Sequence, residues 1–169
     1  MNPVITFVLH SLLTGIVATL VMDGWTLLLK RVFGVPALDY ALVGRWVGHM
    51  LHGRFRHTAI GKAPAIAGER ALGWLAHYLI GIGFAGALLI LTGSDWLSRP
   101  GPLPALLFGL VTVGLPFLVM QPALGMGIAA AKAPDPRKAR IKSLGTHLVF
   151  GIGLYLGALV NAALMSSAG

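Results

Sequence analysis

The sequence predicts an all-α polytopic membrane protein with four transmembrane helices, arranged as two parallel-related hairpins, plus one interfacial or re-entrant helix. Three observations predict this fold. Hydrophobic residues make up 56% of the 169 residues and charged residues only 11%, whereas a soluble domain carries about 25% charged residues. Four segments reach the roughly 20 mostly apolar residues that a span requires. A motif of one histidine and two glycines occurs in the second and again in the fourth segment.

The four predicted spans are separated by polar or glycine- and proline-rich sequence. They cover residues 4–29, 71–92, 103–131 and 143–165. The chain starts with nine residues that include no basic side chain, and its first apolar stretch is longer than the core of a signal peptide. We therefore expect the first segment to be a retained helix. Pro116 predicts a kink within the third.

Basic residues predict the orientation of the spans. Twelve of the 13 lysines and arginines lie in the loops after the first and the third span, and the remaining one is Arg99. Loops rich in lysine and arginine stay in the cytoplasm. We therefore expect a multi-pass protein of the bacterial inner membrane with both chain termini in the periplasm. This distribution accounts for the net charge of +8, so we expect no nucleic-acid partner.

The doubled motif H-x-x-x-G-I-G predicts an internal repeat. It runs from His77 to Gly83 and again from His147 to Gly153, 70 residues later. The first and third spans resemble each other less clearly, around Gly15 and Gly109. We predict one membrane domain over residues 1–169, with repeat 1 at about 4–95 and repeat 2 at about 103–165. The alternative is chance similarity between glycine-rich apolar helices.

Four polar residues fall inside the predicted spans at similar depth, near the cytoplasmic side. They are Asp23, His77, Gln121 and His147. In a helix bundle, Asp23 can approach His77 while Gln121 approaches His147. An ionisable residue inside a membrane is costly and predicts a functional site for a proton, ion or polar solute. The alternative is that the histidines and the glutamine only join helices through hydrogen bonds.

The glycines of the two motifs allow two interpretations. These glycines are Gly81, Gly83, Gly151 and Gly153. Small residues let helices pack closely. They also leave clearance for a flat ligand, and in that case His77 and His147 would be axial ligands of a haem. We expect no cofactor, and haem is the less favoured alternative.

The first loop contains a predicted helix from Asp39 to about His52, with Asp39 as its N-cap and Gly53 at its end. Four basic residues share one face of this helix and its continuation: Arg45, His49, His52 and Arg56. The pattern is typical of a helix lying in the membrane interface, although a re-entrant segment fits as well. We expect no metal site at His49, His52 and His57, because no cysteine or acid is close to them in sequence and arginines flank them. We find no catalytic motif and predict that the protein is not an enzyme.

Three stretches carry a resemblance to a known family. They are Tyr40-Ala-Leu-Val-Gly-Arg-Trp-Val-Gly-His49, Gly68-Glu-Arg-Ala-Leu-Gly-Trp-Leu-Ala-His-Tyr78 and Met120-Gln-Pro-Ala-Leu-Gly-Met-Gly127. The chain resembles small bacterial inner-membrane proteins that share a conserved domain of unknown function. The resemblance covers most of the chain and implies an integral membrane protein of proteobacteria. It implies no activity and no site residues.

These observations favour a small channel or transporter for a proton, ion or small polar solute. The first alternative is a non-catalytic accessory or assembly subunit of a larger membrane complex, and the second is a haem-binding membrane protein. Besides the lipid bilayer, we expect a second copy of the chain as a partner, because small residues are abundant on the predicted helices. A homodimer is the preferred assembly, and another membrane protein is a further candidate partner.

Overall fold

A computed structural model describes residues 2–167 of the chain, and these residues form helices and connecting turns without any strand. The helices are α1 (Pro3–Phe33), α2 (Tyr40–Met50), α3 (Glu69–Thr92), α4 (Ser94–Ser98), α5 (Pro102–Thr112), α6 (Gln121–Ala123) and α7 (Pro136–Ser167). The predicted all-α class is confirmed. The sequence did not predict α4, a short helix within the loop between the second and third spans.

Within residues 2–167, four helical stretches are long and apolar enough to cross a membrane. They are Pro3–Phe33, Glu69–Thr92, Pro102–Ala123 and Pro136–Ser167. The predicted number of spans is therefore confirmed, and the first two have nearly the predicted bounds. The third ends about eight residues earlier than predicted, and the helix of the fourth begins about seven residues earlier.

The third helical stretch is interrupted at the proline where the sequence predicts a kink. α5 ends at Thr112, and a π-helical turn runs from Pro116 to Met120 before α6. Proline has no N–H to donate within a helix, so such interruptions are common near it. Gly125 and Gly127 then adopt positive φ angles of 91° and 74° and end the stretch. The sequence prediction continued it to residue 131 because the residues after Gly127 are apolar.

Aspartate side chains begin α2 and α7. Oδ1 of Asp39 accepts the backbone N–H of Ala41 at 3.0 Å, as predicted for the N-cap of α2. Oδ1 of Asp135 accepts the backbone N–H of Lys138 at 3.0 Å, and this hydrogen bond lowers the pKa of Asp135. Pro136 follows at the first position of α7, where its fixed φ angle suits a helix. The cap explains why α7 starts ahead of its apolar segment.

The chain forms two compact units. Unit 1 comprises the chain up to Pro36, Tyr78–Val111 and the chain from Thr146 onwards. Its core is built from apolar residues of α1, α3, α5 and α7: Ala18, Met22, Ala85, Leu88, Ala105, Phe150 and Leu154. Phe84 packs against this core and meets the rings of Phe108 and Phe150 edge-on. Unit 1 is thus a four-helix packing arrangement.

Unit 2 comprises Ala37–His77 and Thr112–Gly145. Its core contains Trp46, Ile60, Ala123 and Leu124. The segment after α2 pairs with the end of the third helical stretch. The backbone N–H of His57 donates to the carbonyl of Ala123 at 2.8 Å, and that of Ile60 donates to the carbonyl of Leu124 at 3.1 Å. The first loop therefore has a defined structure in unit 2.

Candidate functional site

Asp23 is partly buried in α1 of unit 1 and is hydrogen-bonded to a tyrosine. The hydroxyl of Tyr78 donates to Oδ2 of Asp23 at 3.1 Å. The sequence did not single out Tyr78 as a partner, and the predicted approach of His77 to Asp23 stays a prediction. Asp23 and Tyr78 lie in helices that are long and apolar enough to span a membrane. An acid with a dedicated hydroxyl donor in such helices is the strongest candidate for a functional group in unit 1.

His77 belongs to unit 2 and lies within an aromatic cluster. Its Nε2 is hydrogen-bonded to the hydroxyl of Tyr40 at 3.0 Å. The ring centroids of Tyr40 and His77 are 4.4 Å apart, and those of Tyr40 and Trp74 are 4.3 Å apart. Close packing of α2 on α3 makes this possible, because a Cβ at Gly73 would collide with the carbonyl oxygen of Tyr40.

Gln121 is buried in unit 2, with 5% of its surface exposed. Its Nε2 lies 3.5 Å from Oγ of Ser143, at the limit of a hydrogen bond. Its Oε1 is buried without a hydrogen-bond partner among residues 2–167. A buried unpaired amide oxygen is costly. Gln121 follows the π-helical turn directly, where the helical hydrogen-bond pattern changes.

His147 belongs to unit 1, where its ring centroid lies 6.5 Å from that of Phe150. The four predicted polar residues therefore divide between the units. Asp23 and His147 belong to unit 1, whereas His77 and Gln121 belong to unit 2. The role of the four residues as one site stays a prediction.

Three of the four motif glycines make close helix contacts within unit 1. An added Cβ at Gly81 would collide with Oγ1 of Thr19, and one at Gly153 would lie 2.6 Å from Cα of Ala18. At Gly151 it would lie 2.8 Å from the carbonyl oxygen of Ala105. Neighbouring helices thus fill the space that a flat ligand would need beside these glycines. Gly83 differs, since nothing lies within 4 Å of its added Cβ.

Arg45 connects α2 to α3 and to the first loop. Its Nε and Nη2 donate to the two carboxylate oxygens of Glu69 at 2.8 and 2.7 Å, and Nη1 donates to the carbonyl of Ala63 at 3.0 Å. The hydrogen bond with Glu69 raises the pKa of Arg45. The carboxylate also accepts the backbone N–H of Ile66 at 3.1 Å. This bidentate ion pair gives the loop a fixed anchor.

His49 and His57 form a partly buried pair in the same unit. His49 is only 6% exposed, and its Nδ1 lies 2.8 Å from Nε2 of His57. Nε2 of His49 lies 3.1 Å from the carbonyl oxygen of Pro64, which can only accept. In the neutral pair, His49 therefore donates from Nε2, and His57 donates to Nδ1 of His49. Desolvation by burial, then the charges of His49 and Arg54, lower the pKa of His57, and the Ala123 carbonyl opposes this shift.

The predicted basic face thus divides into two parts. Arg45 and His49 bind partners in unit 2, whereas His52 and Arg56 are exposed. Nδ1 of His52 lies 3.1 Å from the carbonyl of Gly48, one turn earlier in α2. The interfacial or re-entrant position of α2 stays a prediction.

A family match covers most of the chain. The sequence model of the family described as "Protein of unknown function (DUF2938)" matches residues 12–161. The chain belongs to this family. The family match confirms the resemblance drawn from the sequence. No curated protein matches this DUF2938 chain, and no solved structure matches it.

A polar network that the sequence analysis missed lies at the limits of the DUF2938 region, within unit 1. Asn161 is 3% exposed, and its Nδ2 donates to Oγ1 of Thr14 at 2.8 Å. Its Oδ1 lies 2.7 Å from Nδ1 of His10. His10 and Thr14 are four residues apart on one face of α1, and Asn161 is a lone polar residue in an apolar part of α7. Those two signals were available in the sequence, but nothing in it paired residues 151 positions apart.

Proposed function

We propose that this protein is a small membrane channel or transporter, and that it carries a proton or a small cation that binds at Asp23. The hydrogen bond from Tyr78 to Asp23 is the observation on which this proposal rests. A neutral or anionic solute would gain little from an acidic group. The earlier alternative of a small polar solute is therefore less favoured.

The chemistry of the pair supports a proton site. A carboxyl group in an apolar helix binds and releases a proton depending on its surroundings. A tyrosine hydroxyl donates to the charged carboxylate and can accept from the protonated acid, so the pair keeps a hydrogen bond in both states. Ionisable residues placed this way inside membranes commonly relay protons.

Flux in proteoliposomes tests this proposal. Vesicles containing the purified protein and an internal pH dye receive a potassium diffusion potential. We expect acidification faster than in protein-free vesicles, and we expect Asp23→Asn to abolish the difference. Tyr155→Phe is a matched control, because the hydroxyl of Tyr155 has no hydrogen bond within the described residues. Equal rates with wild-type protein, with Asp23→Asn and without protein would refute a proton as the transported ion. The same vesicles loaded with a sodium dye test a small cation, and equal rates there as well would refute the whole proposal.

If the flux experiment refutes transport, the accessory or assembly role becomes the favoured function. Gentle extraction in a mild detergent distinguishes that role, because an accessory subunit copurifies with a stoichiometric membrane-protein partner. Haem binding predicts a Soret absorbance band in the same preparation. Neither result is expected of a self-contained transporter.

We further propose an inner-membrane orientation with the basic loops in the cytoplasm and both termini in the periplasm. The chain has no cysteine, so single cysteines report accessibility without background. In intact cells, a membrane-impermeant maleimide should label Ser98→Cys and spare Arg56→Cys until the inner membrane is opened. The reverse pattern would contradict the orientation.

We also propose a homodimer. Gly24 has nothing within 4 Å of an added Cβ, unlike the glycines used in packing within unit 1. Open glycines on apolar helices suit close contact with a second copy in a bilayer. Cysteine cross-linking at Gly24 in native membranes should give a dimer, and monomer alone would contradict the proposal. This proposal is independent of transport.

A further inference from the structure

Unit 1 contains a cavity of about 300 Å³ that is open at the surface. Residues of α1, α3, α4 and α7 line it. Its apolar wall includes Phe7, Leu89, Leu97 and Met165, and its polar side chains are Thr6 and His10. Oγ1 of Thr6 already donates to the backbone carbonyl of Asn2 at 3.2 Å. Among residues 2–167, no lysine, arginine or carboxylate lines the cavity, so these walls suit an uncharged, mostly apolar molecule.

Asn161 fixes the protonation pattern of His10. Nδ2 of Asn161 lies 3.3 Å from the carbonyl oxygen of His10 and 3.3 Å from that of Gly157, and both can only accept. The amide is therefore oriented with Nδ2 as the donor and Oδ1 as an acceptor. Oδ1 lies 2.7 Å from Nδ1 of His10. In the neutral ring, the proton is therefore on Nδ1, and Nε2 carries a lone pair.

His10 lines the cavity, and Nε2 is the ring acceptor that the hydrogen bond to Asn161 leaves available. It makes no hydrogen bond within residues 2–167, and it is not among the buried unpaired atoms. The ring cannot easily turn away, because Asn161 holding it is itself buried and bonded to Thr14. A hydrogen-bond acceptor surrounded by apolar walls binds a donor more strongly than the same acceptor in water.

We infer that this cavity binds a small apolar molecule with one hydroxyl group, which donates its hydrogen bond to Nε2 of His10. The apolar walls would contact the apolar part of the ligand, and the single acceptor would accept a hydrogen bond from its hydroxyl. A volume of about 300 Å³ lies at the lower end of the range for ligand pockets and accommodates one aromatic ring with a short substituent. Asn161 is a positioning residue for this site, because it acts through His10.

Phenol and toluene are the probes that test this inference, because they have similar shapes and only phenol carries a hydroxyl. The protein is labelled with ¹⁵N-histidine and placed in lipid nanodiscs. We expect saturable binding of phenol to shift the Nε2 resonance of His10, and toluene to bind without that hydrogen-bond shift. No saturable shift at His10 would overturn the inference.

Variants separate the hydrogen bond from the shape of the cavity. We expect the preference for phenol over toluene to fall about three- to tenfold in His10→Phe, which corresponds to one hydrogen bond. Because that variant also disturbs Asn161, Met165→Trp provides a second measurement. It fills the cavity without changing the polar network and should abolish binding of both probes. His52→Gln removes an exposed histidine elsewhere and should bind as wild type does. A preference unchanged in His10→Phe, or full binding by Met165→Trp, would overturn the inference.

Discussion

The hydroxyl of Tyr78 lies 3.1 Å from Oδ2 of Asp23 and donates a hydrogen bond to it. Tyr78 directly follows His77, the residue that the sequence favoured as the partner of Asp23. Successive residues of an α-helix differ by roughly 100° around its axis. Tyr78 and His77 therefore project from α3 in different directions, and the hydrogen bond of Tyr78 does not decide whether His77 also approaches Asp23. That approach stays a prediction.

We expect removal of the Tyr78 hydroxyl to lower the stability of unit 1. Tyr78→Phe leaves the ring in place but removes the donor to Asp23, so we expect a loss of about 0.5–2 kcal/mol in the free energy of unfolding in mixed micelles. If Asp23 carries protons, the same change should shift the pH dependence of flux. Tyr155→Phe is the control for both measurements. Identical unfolding curves for Tyr78→Phe and wild type would contradict the importance of this hydrogen bond.

The two glycines of the first motif copy predict opposite responses to alanine. An added Cβ at Gly81 would collide with Thr19, whereas one at Gly83 meets nothing within 4 Å. We expect Gly81→Ala to destabilise the protein by about 1–3 kcal/mol, the usual cost of overpacking. Gly83→Ala should be neutral or slightly stabilising, because alanine favours helix more than glycine does. Equal effects of the two substitutions on unfolding would contradict this packing arrangement.

Gly15 and Gly109, which the internal repeat would make equivalent, both lie in close helix contacts. An added Cβ at Gly15 would lie 2.5 Å from Cα of Ile82, and one at Gly109 would lie 2.5 Å from Cα of Gly151. The contact between α1 and α3 is thus as close as the contact between α5 and α7. Gly109→Ala and Gly15→Ala should destabilise to a similar extent, by about 1–3 kcal/mol. A large effect of one and none of the other would count against equivalent roles in two repeats.

The sequence predicted a structural feature best where a single property, such as apolar length or a capping residue, determines that feature. Apolar length was enough to find four spans, and Asp39 with Gly53 was enough to bound α2 closely. The end of the third span was less predictable, because apolar residues continue beyond Gly127 while the backbone turns at Gly125. Long-range pairs such as His10 with Asn161 depend on how helices rotate against each other. Composition does not determine that rotation.

The structure of the first loop differed from expectation for a similar reason. The shared face of Arg45 and His49 was visible in the sequence, and a basic face normally points to water or lipid headgroups. Glu69, 24 residues from Arg45, forms an ion pair with it instead. One carboxylate is enough to give an arginine a partner within the protein. The sequence did not reveal that the carboxylate of Glu69 lies close to Arg45.

We expect acidic pH to lower the stability of the first loop, because His57 becomes protonated. The pKa of His57 is lowered from its usual 6.5, so the folded state favours the neutral ring. The unfolded chain binds a proton at a higher pH than the folded chain does. Stability is therefore fully present above pH 6.5 and decreases as the pH falls from there through the lowered pKa of the folded state. Hydrogen exchange of residues 54–64 should accelerate over this interval, after correction for intrinsic rates.

Substitutions of two histidines test the assignment of this pH effect. His57→Phe removes the titrating ring, so the acceleration at low pH should become smaller even if the loop is less stable at every pH. His52→Gln removes an exposed histidine and should leave the pH profile of the loop unchanged. An unchanged profile in His57→Phe would assign the acid response to another group.

The ion pair between Arg45 and Glu69 predicts that lysine cannot replace arginine at position 45. Lysine keeps the positive charge but lacks the planar fork that binds both carboxylate oxygens and the Ala63 carbonyl together. We expect Arg45→Lys to accelerate hydrogen exchange of residues 54–68 several-fold at neutral pH. Arg56→Lys is the matched control, because Arg56 is exposed and makes no hydrogen bond or ion pair within the described residues. If both variants exchange at the wild-type rate, charge alone holds the loop and the bidentate geometry is not required.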